Sequence, residues 1–395
     1  MRTVGIVCEY NPFHKGHLYM IAECRRQLGA DTAVVCAQSG DFVQRGEAAI
    51  YDKFTRAEVA CRSGADLVLE LPLPWCLSSA EGFAAGALAM LKAAGCDTLA
   101  FGSESGDLET LKALAAFSLD PAAVAEIRNR MDRDETLSFA RARQQAARER
   151  LGDAAERLSE PNDILAVEYL KAIRRSGAGM QALAIARQGG GHDSMEPGAF
   201  PSAMQLRAGI ERGEEVSDYL PPEAAALFRR ADADGKRICR EKLEIALLSR
   251  LYMLKAEDFE RLPDAGGGAG RRLYNALREG GHPEEIAAAA GTKRYTTARM
   301  RRMLLCAALG VGAEDEKGAP PYLRVLAANA RGRALLHKTK EAAIPFLIKS
   351  ASVRALGPEA VRLFTLCNDA HNLYGLAENA EGKMDEDWRR TPAIV

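Results

Sequence analysis

The sequence predicts an α/β protein, a doubly wound parallel sheet followed by an α-helical domain. Three observations carry this. Through the first half of the chain, short apolar runs alternate with segments of helical spacing, as they do when crossover helices connect parallel strands. The first run is apolar without interruption, the mark of a strand covered on both faces. Beyond about residue 200 helical spacing dominates.

In chain order, Val4-Gly5-Ile6-Val7-Cys8 reads as the first strand, and Leu18, Ile21, Ala22, Cys24 and Leu28 recur at helical spacing until Gly29 ends the pattern. Residues 32–37 read as a second strand, with 39–46 as the loop beyond its carboxyl end. A helix over 53–62, a strand over 66–71, a helix over 79–93 and a strand over 98–101 follow, the last ending in Gly102-Ser103-Glu104-Ser105. An Ala- and Arg-rich helical stretch, 121–158, precedes a helix opened by Pro161-Asn162-Asp163. Residues 181–186 are the last strand candidate, trailed by Arg187-Gln188 and the glycine run 189–191. Right-handed crossovers gather the loops after each strand into one crevice. The predicted domains are 1–198, the sheet, and 199–395, with helices over 203–212, 222–232, 238–254 and 271–278.

At 395 residues the chain has room for two or three domains. A net charge of -1 excludes a uniformly basic protein but not a basic face. Met1-Arg2-Thr3 runs straight into the first strand, leaving no room for a signal peptide, and no apolar run approaches the roughly 18 residues of a membrane span. A soluble, cytoplasmic protein without membrane contact is expected. Nine cysteines with no Cys-x-x-Cys pair read as reduced, mostly buried thiols, with neither a zinc site nor a disulfide framework.

Asn11-Pro12-Phe13-His14-Lys15-Gly16-His17 closes the first strand and opens the first helix. Two imidazoles three residues apart, beside a glycine at a helix N-terminus, can meet an anion with ring N–H donors, free backbone N–H groups and the positive dipole end. A nucleotide α-phosphate is the anion this arrangement suits. A His-x-x-His pair can also ligate metal, but no Cys, Asp or Glu stands at ligand spacing within 11–21, so no metal site is assigned. The histidines can equally cap the helix.

Charge is segregated in the C-terminal half. Lys293, Arg294, Arg299, Arg301 and Arg302 fall in a window without an acidic residue, and a second stretch holds Arg324, Arg331, Arg333, Lys338, Lys340, Lys349 and Arg354 against Glu341 alone. Compensating acid stands apart, at 314–316 and in 378–387. Such segregation suits phosphate backbones, with Tyr295 and Tyr322 available for base stacking; a solvated helix face is the plainer alternative. Helical segments at 284–290 and 297–309 about Gly291 also resemble a helix-turn-helix that would turn Arg299 and Arg302 toward DNA.

The heptapeptide resembles the His-x-Gly-His signature of the adenylyl-transferring superfamily. Further blocks are similar to one member, the bacterial tRNA(Met) cytidine acetate ligase family: Ser39-Gly40-Asp41-Phe42-Val43-Gln44-Arg45-Gly46, Asp52-Lys53-Phe54-Thr55-Arg56, Leu69-Glu70-Leu71-Pro72, Ser79-Ala80-Glu81-Gly82-Phe83-Ala84, Phe101-Gly102-Ser103-Glu104, Pro161-Asn162-Asp163-Ile164-Leu165 and Thr292-Lys293-Arg294-Tyr295-Thr296. They cover most of the chain in order. Asp41 stands where the family pattern has asparagine, and the Lys-Met-Ser-Lys-Ser loop of synthetases is absent.

The resemblance implies a Rossmann-like nucleotidyltransferase domain and an enzyme that activates acetate with ATP. Acetyladenylate would then give its acetyl group to the wobble cytidine of elongator tRNA(Met), forming N4-acetylcytidine. It implies catalytic roles for His14 and His17, and nucleotide contacts from Val7, Asn11, Pro12, Phe13, Lys15, Gly16, Met20, Gly102, Asn162, Arg187 and Gln188. On loop position, Ser39, Gln44 and Arg45 are the candidates for acetate; Lys293, Arg294, Arg299, Arg301 and Arg302 are those for tRNA. Mg²⁺ is expected with ATP. A small-molecule adenylyltransferase and a non-catalytic RNA- or DNA-binding protein are the alternatives from other classes.

Overall fold

The computed structural model describes residues 2–134, 136–177, 179–188, 200–315, 318–338, 342–380 and 383–395. The expected 198/199 boundary, the glycine run 189–191, Lys340 and Glu341 lie outside the described residues.

The chain runs β1 (Thr3–Cys8), α1 (Lys15–Leu28), β2 (Ala33–Ser39), a short hairpin of β3 (Phe42–Val43) and β4 (Glu47–Ala48), α2 (Lys53–Arg62), β5 (Leu67–Leu71), α3 (Ala80–Ala93) and β6 (Thr98–Ser103). Four helices, α4 (Leu108–Leu119), α5 (Pro121–Arg133), α6 (Phe139–Leu151) and α7 (Pro161–Ser176), precede β7 (Gln181–Ala186). Then come α8 (Ala203–Glu211), α9 (Pro222–Ala233), α10 (Arg240–Leu251), α11 (Ala256–Glu260), α12 (Ala269–Glu279), α13 (Pro283–Ala290) and α14 (Thr297–Leu309). The chain closes with β8 (Leu323–Ala328), α15 (Ala330–Lys338), β9 (Phe346–Leu347), α16 (Pro358–Leu376), α17 (Glu386–Arg389) and β10 (Ala393–Ile394).

The main sheet has the order β10-β8-β5-β2-β1-β6-β7, with β9 beside β8. Strands β5, β2, β1, β6 and β7 are mutually parallel, so the predicted doubly wound sheet is present. Alternate residues feed two cores, as the two-residue strand period requires. Val35, Ala37, Leu67, Leu69 and Leu99 face α3, α4 and α7, while Val34, Cys36, Val68 and Ala100 face α1, α2 and α9.

The predicted division into a sheet domain and a helical domain differs from the structure in one respect. β8 pairs antiparallel with β5, and β10 pairs with β8, so the C-terminal half extends the N-terminal sheet. Arg324 had hidden this strand by making it read as part of a basic stretch. It is buried, and its Nη1 lies 3.0 Å from Glu70 Oε2 and 2.7 Å from Asp387 Oδ2. Lys53 Nζ joins the same two carboxylates at 2.8 and 2.7 Å. Charges enter an interior only when paired in this way. Arg324 is therefore no part of a nucleic-acid surface, and Asp387 no part of a solvated acidic tail.

Candidate active site

Strand β1 lies between β2, which follows it in the chain, and β6, reached only after β5. In a doubly wound sheet a crevice opens at such a reversal, outside the carboxyl ends of the strands. A cavity of about 500 Å³ occupies it, walled by Val7 on β1 and Glu9 just after it, Phe101 and Gly102 on β6, and Arg187 after β7. The first turns of α1, α7 and α8 also reach its wall, through His14, Gly16 and His17, Pro161 with Asn162, and Ser202 with Ala203. Three positive helix ends and the cations Arg45, Arg187 and Arg207 thus surround one space. Glu9 is the single carboxylate on its wall among the described residues. This is a field for a polyanion.

The two histidines cap α1 and do so in a way that fixes their chemistry. His14 Nδ1 accepts the Gly16 N–H at 3.0 Å, and His17 Nδ1 accepts the His14 N–H at 3.2 Å. Each ring therefore carries its proton on Nε2, the nitrogen left for the cavity. Both rings are neutral: burial, then the Arg187 charge, lowers His14 to about 3. Burial, His14 and Arg187 hold His17 well below its ordinary value. The two rings lie tilted against each other, centroids 3.8 Å apart, and Gly16 leaves room for this, because a Cβ there would lie 2.8 Å from His14 Cε1. The capping and phosphate readings of the motif are thus compatible: Nδ1 caps, and Nε2–H is a preorganised donor.

Of the residues expected to contact nucleotide, Val7, Asn11, His14, Gly16, His17, Met20, Gly102, Asn162, Arg187 and Gln188 line the cavity. Pro12, Phe13 and Lys15 do not. Phe13 is fully buried, its ring centroid 4.8 Å from that of Tyr10 and 5.5 Å from that of His17, so it supports the site from behind. Lys15 is exposed at the start of α1. The Asn162 amide donates to Glu104 Oε1 at 2.6 Å, tying α7 to the end of β6.

Among the acetate candidates, Gln44 and Arg45 reach the cavity from the tip of the β3–β4 hairpin. Ser39 does not. It ends β2 instead of opening the loop, and its Oγ is buried without a partner among the described residues. The hairpin is wedged against α14: Gly46, at φ +79°, packs so closely that a Cβ would come within 2.6 Å of Arg301 Cβ and 2.7 Å of the Arg302 backbone nitrogen.

Two charged residues on the wall escaped the sequence reading. Arg207 donates to the Asn11 carbonyl at 3.0 Å and lies 3.3 Å from Glu47. It comes from α8, beyond the expected domain boundary, and no local pattern marks it. Glu9 stands two residues before the motif, and a polar residue at the carboxyl end of a buried strand was the signal available for it.

The basic window is less free than its sequence suggests. Arg301 pairs with Glu284, and Arg302 lies 3.7 Å from Asp264 with its side chain 12% exposed. Arg299 donates to the Asp264 carbonyl and lies over Tyr295. Helices α13 and α14 stand where the helix-turn-helix was drawn, but the two arginines meant for DNA are tied to this loop. Tyr295 is buried with its hydroxyl donating to the Gly267 carbonyl, and Tyr322 is core, so neither offers a stacking face. Lys293 and Arg294 are exposed and form no salt bridge among the described residues.

Among the described residues no group of three His, Cys, Asp or Glu is placed to hold a metal, all nine cysteines are free thiols, and no helix is long and apolar enough to cross a membrane.

The model of the family described as HIGH Nucleotidyl Transferase matches residues 1–387. A tRNA(Met) cytidine acetate ligase of Syntrophotalea carbinolica is 36% identical over 404 residues, spanning 100% of this chain and 91% of that protein. One of Fervidobacterium nodosum is 35% identical over 362 residues, spanning 89% of this chain and 85% of that protein. Among solved structures, apo Thermotoga maritima TmcAL has a TM-score of 0.93 at 29% identity, with 100% of each chain covered. The same protein bound with alpha-thio ATP has a TM-score of 0.91 at 29% identity, covering 100% of this chain and 99% of that one. The chain belongs to the HIGH nucleotidyl transferase family and, within it, to the tRNA(Met) cytidine acetate ligases.

Proposed function

We propose that this protein is an ATP-dependent acetate ligase that forms acetyladenylate and passes the acetyl group to the wobble cytidine of elongator tRNA(Met), giving N4-acetylcytidine. The observation that carries the reading is the pair of neutral imidazoles whose Nδ1 atoms are engaged by backbone N–H groups. Their Nε2–H groups are rigid donors at the positive end of α1, suited to α-phosphate oxygens on which charge builds as acetate attacks and pyrophosphate leaves. Arg187 beside them and Arg207 across the wall suit the remaining phosphates, and Gln44 with Arg45 suit the acetate carboxylate. Mg²⁺ would arrive on the triphosphate, since it is usually bound through substrate phosphates and one or two carboxylates.

For the tRNA, the exposed Lys293 and Arg294 are the contacts this reading retains; Arg299, Arg301 and Arg302 act by holding the α13–α14 region together. Free thiols throughout fit the reducing cytoplasm, where tRNA is modified. The test supplies purified protein with ATP, labelled acetate and unmodified tRNA(Met), and reads label in the nucleoside. His17→Ala is expected to slow acetyladenylate formation about 100-fold to 1000-fold. No label from a preparation that binds ATP overturns the reading, and pyrophosphate exchange indifferent to acetate points instead to a small-molecule adenylyltransferase.

A further inference from the structure

Transfer of an acetyl group to an exocyclic amine releases a proton. The N4 nitrogen attacks the carbonyl carbon, the bond from that carbon to the phosphate oxygen breaks, AMP leaves with the electron pair, and one N4 proton must go to a base. The histidines cannot take it, because the lone pair of each Nδ1 already accepts a backbone N–H. Tyrosine phenols are protonated near neutrality, and burial pushes those of Tyr10 and Tyr169 higher still. Burial does the same to the Cys8 thiol. Arginines are donors only.

Resting on the ligase reading above, we propose that the Glu9 carboxylate is the base that removes the N4 proton of the acceptor cytidine. Glu9 follows directly on β1 and is the single carboxylate on the cavity wall among the described residues. Its Oε1 accepts the Gln44 N–H at 3.0 Å. Its Oε2 enters no hydrogen bond or ion pair among the described residues, so one oxygen is anchored and the other is available. The anchor belongs to the hairpin that carries Gln44 and Arg45, which places the carboxylate beside the groups assigned to acetate, where the acetyl carbon would lie. The groups facing it are the Gln44 N–H, Arg207, Arg45 and Glu47. Burial raises its affinity for a proton, and the first three of these groups moderate the rise while Glu47 adds to it. A partly desolvated carboxylate binds a proton more readily than a free one, which suits it to accept a proton during the transfer step.

The test separates the two half-reactions. Glu9→Gln keeps an oxygen to accept from Gln44 and removes the basic one. Acetate-dependent pyrophosphate exchange is expected to stay within a few-fold of wild type, while acetyl transfer to tRNA falls about 100-fold to 10,000-fold. Single-turnover transfer in the wild type should rise with pH through the acid range, and this dependence should vanish in the variant. Glu9→Asp keeps the charge but withdraws it by one carbon; it should cut transfer more than exchange, and it carries the test alone if the glutamine variant loses ATP binding. Transfer at the wild-type rate in Glu9→Gln overturns the assignment. So does an equal loss of exchange and transfer, or an exchange rate restored by excess Mg²⁺, since either places Glu9 on the nucleotide or its metal. Absence of transfer in the wild type would instead overturn the ligase reading itself.

Discussion

Lys53 and Asp387 are 334 residues apart in the chain and 2.7 Å apart in the interior. Asp387 also receives Arg324, and Glu70 faces the same two cations, so four charges balance within one buried cluster. Burial opposes ionisation of Asp387, but Arg324 and then Lys53 outweigh it and hold the carboxyl at about 2, below its ordinary value. A depressed carboxyl adds stability that is present above the unfolded value near pH 4 and lost as pH falls through about 2. Asp387→Asn is expected to cost about 3–5 kcal/mol, read by denaturant unfolding at pH 7.

A second buried pair has the opposite sign. His371 Nδ1 lies 2.8 Å from Asp41 Oδ2. Burial alone would lower the imidazole, yet the Asp41 charge and hydrogen bond raise it to about 10. Its contribution is present in full below about pH 6.5 and fades as pH rises through about 10. Unfolding midpoints measured at pH 6, 8 and 10 should fall for the wild type and change less for His371→Gln.

Gly16→Ala tests whether the seating of the His14 ring matters for chemistry. The added methyl would meet His14 Cε1 at 2.8 Å and Nδ1 at 3.0 Å and turn the ring off its cap. Acetate-dependent pyrophosphate exchange should drop about 100-fold, the typical effect of an ångström-scale misplacement. The melting temperature should hold, since alanine favours a helix where glycine does not.

The cations of the basic window should divide. Lys293→Glu with Arg294→Glu is expected to weaken tRNA binding and to flatten its salt dependence, by about one unit of slope for each of the two cations that meets a phosphate. Arg302→Ala should instead lower the unfolding midpoint, because it removes the packing of a side chain only 12% exposed. Filter binding across a salt series, together with thermal melts, separates the two outcomes.

Much of the sheet was legible because its strands are apolar and its helices begin at marked caps. Asp52 accepts the N–H groups of Phe54 and Thr55, and Ser79 that of Gly82; the first helix begins where the sequence predicts and the second one residue later. Strand β8 was not legible, because Arg324 interrupts its apolar run and its counter-charges stand 254 and 63 positions away. The same distance problem affected the site. His14, His17 and the loop residues after each strand could be named from position, whereas Arg207 reaches the cavity from a helix that nothing local connects to it. The acid-free window misled for a related reason, since Glu284, Asp264 and Glu47 approach it in space and not in sequence.

Strand β8 and Asp387 also bear on how the chain is made. As the protein leaves the ribosome, β5 has an open edge until residue 328 has emerged, and Lys53 sits in a closing interior without Asp387 until residue 387 is out. An unpaired edge and an unmatched buried charge are both costly. The N-terminal sheet therefore cannot settle during synthesis as a finished unit. A chain broken off before residue 387 would keep its histidine motif and still lack the interior that holds the surrounding loops, which makes the segment around Asp387 a requirement for the histidine motif to work.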